Sequence, residues 1–211
     1  MSLFFRSVGI LILCLASSVK AMPVVSASAV DQVTSSIAGV TTVDFNSGNC
    51  NGYASCTGDF ALVSGSVSGK YAQPFGTNST FLSVPNPSDT THTAVMSLGL
   101  DANYFGLFWG SIDAYNIVSF FSGDTQVASF SGADLPNLNA DGSQTEWSSN
   151  RYINFDFGSS SFNTVNFISS GFAFESDNHA YRNASVPEPM NMALMGLGLC
   201  GLLIARRFSR K

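Results

Sequence analysis

Arg151-Tyr152-Ile153-Asn154-Phe155-Asp156-Phe157 alternates with a period of two. Ile153, Phe155 and Phe157 fall on one side and Tyr152, Asn154 and Asp156 on the other, as in a strand with one dry face and one wetter face. Just downstream, Val165 and Phe167 alternate against Asn166, and Phe172 and Phe174 alternate around Ala173, so these rings are expected to point inward.

Short β-rich runs recur on both sides of this stretch, separated by Gly, Asn, Ser and Asp. They cover residues 41–45, 60–63, 80–84, 93–100, 104–109, 117–121, 125–130, 151–157, 164–169 and 171–175. The clearest hairpin joins 117–121 to 125–130 through Ser122-Gly123-Asp124. Only residues 24–37 carry even a weak helical stripe. The chain's 18 Phe supply a large apolar core. Many short strands with turn signals between them predict an all-β β-sandwich of jelly-roll kind.

Residues 22–185 form one body, a size suited to a single domain. Only Lys70, Arg151 and Arg182 are basic there, against thirteen acids, so the body carries a net charge of −10. With no basic patch, nucleic-acid binding is excluded as a reading. The charge serves solubility or attracts divalent cations. Cys50 and Cys56, in Asn49-Cys50-Asn51-Gly52-Tyr53-Ala54-Ser55-Cys56, are spaced for a local disulfide in an exported protein. A metal site is the sharper alternative, but no His or second Cys pair accompanies them.

The two ends read differently. Residues 1–21 have Arg6, an apolar run over 8–15 and Val19-Lys20-Ala21, which is the build of a signal peptide. At the other end, residues 186–211 begin with Val186, Pro187, Glu188 and Pro189, a stiff strip that no helix interior tolerates. An uncharged span over 190–205 follows. With Pro189 it would make a helix of roughly 25 Å, enough to cross a locally thinned bilayer. Arg206, Arg207, Arg210 and Lys211 then give the positive-inside signal, which places the C-terminus in the cytoplasm. The order of strip, span and cations resembles the sorting signal of the exosortase-dependent, or PEP-CTERM, surface proteins of Gram-negative bacteria. That resemblance implies an exosortase as processing partner, cleavage near Pro187-Glu188-Pro189, transient anchoring in the inner membrane, and final location at the cell surface or in the medium. The alternative is an uncut membrane anchor.

A block within the body also resembles a subgroup of these surface proteins. It runs Tyr104-Phe105-Gly106-Leu107-Phe108-Trp109-Gly110-Ser111-Ile112-Asp113-Ala114-Tyr115-Asn116. Its companions are Arg151-Tyr152-Ile153-Asn154-Phe155 and Phe174-Glu175-Ser176-Asp177-Asn178-His179-Ala180-Tyr181. The resemblance implies a secreted β-sandwich of the cell surface and exopolysaccharide matrix and brings no catalytic residues with it.

Read on their chemistry alone, Trp109, Asp113, Tyr115 and Asn116 suit sugar recognition, with rings stacking on pyranose faces and amides reading hydroxyls. The bland reading is a strand corner in which Asp113 and Asn116 bond turn amides. His92 and His179 belong to no catalytic motif and read as surface turn residues. Gly196, Gly198 and Gly201 match a dinucleotide fingerprint by spelling only, since they lie in the apolar span. Asp101-Ala102-Asn103 and Asp177-Asn178 could ligate calcium without forming a calcium loop. No other cofactor or metal is indicated. The expected function is therefore a non-enzymatic exported surface protein associated with exopolysaccharide. A carbohydrate-binding module is the second reading. A hydrolase using Glu146 and Glu175, the only glutamates of the body, is the third.

Overall fold

The structure, a computed structural model, describes residues 22–86 and 92–184. The leader, the Pro-Glu-Pro strip, the apolar span and the basic end lie outside the described residues. Among the described residues the protein is all-β and antiparallel, and no helix is long and apolar enough to cross a membrane.

Eleven strands follow in chain order: β1 (Val24–Ala27), β2 (Thr41–Val43), β3 (Ser55–Gly58), β4 (Ala61–Val63), β5 (Phe81–Val84) and β6 (Thr93–Gly110), then β7 (Asn116–Ser122), β8 (Thr125–Ser131), β9 (Arg151–Asp156), β10 (Phe162–Ser169) and β11 (Phe174–Asn183). The long strand β6 organises them. Its first half lies between β3 and β10, and β10 continues to β7 and β8. Its second half lies between β9 and β11; β1 extends the β9 side, and β2, β5 and β4 extend the β11 side. The sequence suggests two strands here, at 93–100 and 104–109. They are one strand that bends near Gly99, where φ is +70° and the pairing with β10 slips between Ser97 and Ala102.

That bend lays one lobe of the sheet over the other. Phe120 of β7 meets Phe105 of β6 at 5.7 Å and Phe155 of β9 at 5.1 Å, ring centre to ring centre. Phe167 of β10 meets Phe174 of β11 at 5.5 Å. These rings are fully buried and form the centre of the core. The alternation at 151–157 holds, with Ile153, Phe155 and Phe157 in the core. Tyr152, on the opposite face, is buried too, because loops cover that side. Gly106 belongs to the same covered face: a Cβ there would stand 2.5 Å from the Tyr104 hydroxyl and 2.7 Å from the Tyr152 ring.

Several expectations need correction. No helix forms over 24–37; Val24–Ala27 pairs with β9 instead, and the residues after it form turns and coil. The β7–β8 hairpin turns as expected at Gly123-Asp124, with Ser122 opposite Thr125. Strand β11 starts only at Phe174, and Phe172 points outward, 46% exposed. Along β11 the pairing slips between Asp177 and Ala180, around Asn178 at φ +48°. This bulge carries the inward positions from Phe174 and Ser176 to His179 and Tyr181. His179 is therefore no surface turn residue but a fully buried one, packed on Phe167, Phe45 and Phe105. His92 is half-buried at φ +57°, and its backbone N–H donates to buried Asp59.

Cys50 and Cys56 are bonded, with Cα atoms 6.6 Å apart. Their loop is tied into the core from both sides. The Tyr53 hydroxyl lies 2.7 Å from His179 Nδ1, and the Tyr181 hydroxyl donates to the Gly52 carbonyl. His179 Nε2 meets the Ser176 hydroxyl at 2.9 Å, so both ring nitrogens are engaged. Burial pushes the imidazole down to about 3, which keeps it neutral.

Candidate functional site

At one end of the sheet, three chain segments converge over the start of β11: residues 64–79, the β6–β7 connection, and residues 136–150. Asn150, fully buried at the foot of β9, stitches them together. Its Oδ1 accepts from the Phe75 and Ser111 backbone N–H groups, at 3.1 and 2.8 Å. Its Nδ2 donates to the Ser143 and Glu146 carbonyls, at 2.7 and 3.0 Å. One amide thus makes four bonds to three segments, and no polar valence is left unpaired.

Glu175 performs the same task from β11. Oε1 accepts from the Ala72 N–H at 2.8 Å and Oε2 from the Ser111 hydroxyl at 2.5 Å. Burial pushes its carboxyl up to about 7, partly offset by these two donors. Two positions along, Asp177 accepts from the Ser79 hydroxyl at 2.5 Å and is pushed up to about 6, again by burial. Both acids therefore bind the 64–79 segment to the sheet.

The corner residues named from the sequence come together, but as a scaffold. Asn116 is fully buried; its Nδ2 donates to the Ala173 carbonyl at 3.0 Å. The Ser169 hydroxyl lies 2.7 Å from Asn116 Oδ1 and 2.8 Å from the Gly171 carbonyl, and shares its proton between them. The Tyr115 hydroxyl donates to the Phe172 carbonyl at 3.0 Å. Three successive carbonyls, at 171, 172 and 173, are thus held by side chains. Asp113 bridges to Asp141 through the backbone, and burial raises its carboxyl above the ordinary range. Trp109 departs from the expected role. It is fully buried and stacks on Phe174 at 4.4 Å, so it offers no face to a sugar.

Above this scaffold lies a cleft of about 330 Å³, lined by Val67, Lys70, Tyr71, Gln144, Phe172 and Glu175. One wall is a tight hairpin in which Val67 and Tyr71 exchange both backbone hydrogen bonds. Phe172, 46% exposed, lines the cleft as well. As a cleft lining these residues escaped the sequence reading: there Lys70 counts only as a charge, Phe172 is expected to point inward, and Glu175 is named only as a candidate acid. The only available signal was an aromatic inside Ser169-Ser170-Gly171-Phe172, a turn-like setting that would have argued against an inward ring.

The remaining candidates stay apart. Asp101 accepts from Asn163, Asn103 from Arg182, and Asp177 from Ser79 and the Asn178 N–H, so their oxygens already serve protein donors. Among the described residues no group of three or more His, Cys, Asp or Glu is placed to hold a metal ion. Glu146 is exposed, unlike buried Glu175. No protein-family model, curated protein or solved structure matches this chain.

Proposed function

We propose that this chain is an exported, non-enzymatic cell-surface or extracellular-matrix protein, sorted and cleaved by an exosortase at Val186, Pro187, Glu188 and Pro189. Its cargo is a β-sandwich of jelly-roll kind associated with exopolysaccharide. The observation that carries this reading is the fixed order of proline strip, apolar span and terminal cations Arg206, Arg207, Arg210 and Lys211. A plain anchor has no need of the proline strip.

Two structural facts support it. The Cys50–Cys56 bond suits an oxidising compartment outside the cytoplasm. The last strand ends at Asn183, and Ala184 makes one further backbone bond to Asp101. The strip at 186–189 comes after the last described strand, and cutting there would remove none of the described strands. Deleting residues 186–211 in the producing cell tests the reading. The truncated protein is expected to lose its surface location and accumulate elsewhere; unchanged location and size would refute sorting by the tail.

A further inference from the structure

Among the described residues five large apolar side chains are exposed. Met22, Val24 and Val30 belong to the N-terminal segment; the other two, Val67 at 41% and Phe172 at 46%, face the same cleft. An exposed ring on a loop is ordinarily free to turn inward. Here the peptide that bears it is held at three successive carbonyls by Ser169, Tyr115 and Asn116. The hairpin wall is held as firmly, since Glu175 grips Ala72 directly after the Val67–Tyr71 hairpin. The same lining holds three polar groups with no hydrogen-bond partner among the described residues: the Lys70 ammonium, the Gln144 amide and the Tyr71 hydroxyl. The other two cations of the body are committed, Arg151 to the Trp147 and Ser28 carbonyls and Arg182 to Asn103.

We propose that this cleft binds an uncharged hexopyranose unit, its apolar face stacked on Phe172 and its hydroxyls bonded by Gln144, Lys70 and Tyr71. A sugar ring is the ligand that needs one flat apolar wall together with several donors and acceptors at its edge. The cleft's volume of about 330 Å³ is at the small end for ligand sites, which suits one or two rings rather than a peptide. A single ammonium within a body of net charge −10 gives anionic ligands little reason to enter. Tyr115 and Asn116 are then positioning residues, acting through the 171–173 backbone.

The test is calorimetric titration of the exported protein, purified as producing cells release it, with oligosaccharides of glucose, galactose, mannose, N-acetylglucosamine and glucuronic acid. Binding to at least one of the four uncharged probes is expected. Phe172→Ala should weaken it about tenfold, the order expected for a lost stacking contact. Gln144→Ala, at an exposed position, should weaken it as well, whereas Val30→Ala should leave it unchanged. Binding to no probe, binding to the glucuronic acid oligomer alone, or full binding in folded Phe172→Ala and Gln144→Ala proteins would each overturn the proposal.

Discussion

The two halves of β6 lie in one strand yet obey different rules. From Thr93 to Leu98, half-exposed Thr93, Val95 and Ser97 alternate with buried Ala94, Met96 and Leu98. From Tyr104 to Gly110 every residue is buried. The first half belongs to a lobe with one face on the core and the other open to water. The second belongs to a lobe whose outer face lies under the segments 28–40, 64–79 and 136–150. Ser35 reaches the Tyr104 hydroxyl at 2.8 Å, Trp147 packs on Phe108 at 6.3 Å, and the Tyr152 hydroxyl donates to the Asn178 carbonyl. The open lobe supplies half of a core. The covered lobe supplies the other half and also a second, partly polar layer, and that layer is what fixes the walls of the cleft. Loops become rigid enough to present a ring only where buried acids and amides anchor them to the sheet.

The largest expected effect is on the core that the two lobes share. Phe105 touches Phe120, Phe162, Phe167 and His179, so Phe105→Ala should cost about 3–5 kcal/mol in chemical denaturation. A loss below 1 kcal/mol would mean the lobes do not pack face to face.

The covered layer should reveal itself in pH dependence. Glu175 has an ordinary value of 4.5 and holds its proton up to about 7 in the fold. Ionisation therefore penalises the folded state, and stability should fall as pH rises from 4.5 to 7. His179 acts in the opposite sense, because its ordinary value of 6.5 drops to about 3, so its share of stability is lost as pH falls through that window. Comparing Glu175→Gln with the wild type cancels the histidine. The difference between the two proteins should change by about 3 kcal/mol between pH 4 and pH 8, in favour of the variant at high pH. A constant difference would place Glu175 in water.

Reducing the Cys50–Cys56 bond, or replacing both cysteines by serine, should lower stability by about 2 kcal/mol, measured by thermal unfolding with and without reductant. Its loop is bound to His179 through Tyr53, so the loss should be accompanied by greater accessibility of that histidine. On the open lobe the same kind of measurement should find little. Ser97→Ala should stay within about 0.5 kcal/mol of the wild type. A large loss there would show that something covers this face as well.

The same contrast explains what the sequence discloses. Where one face is wet, alternation writes the strand plainly: Ile153, Phe155 and Phe157, or Val165 and Phe167. The all-β class followed from such stretches, and the β7–β8 hairpin from its Ser122-Gly123-Asp124 turn. Where both faces are dry, as at 104–110, the strand is still legible but the direction of each side chain is not. Trp109 reads as a ligand-stacking residue from its neighbours and lies in the core. Bulges defeat alternation altogether. Continuing the period from Phe174 puts Glu175, Asp177 and His179 on one face; the extra residue at Asn178 turns His179 inward and leaves the two acids outside, under a loop. The cleft was illegible for a third reason. Its walls come from residues near 70, 144 and 172, and only the fold brings these together. The two stretches that flank the body, 1–21 and 186–211, argue by order and composition, independently of any packing.

The reading of the protein's destination rests on that tail, and the intact mass of the protein recovered from the cell surface and medium tests it most directly. A chain ending near Val186, Pro187, Glu188 or Pro189 is the predicted result. A mass that still includes Arg206, Arg207, Arg210 and Lys211 would contradict it and make the span a permanent anchor.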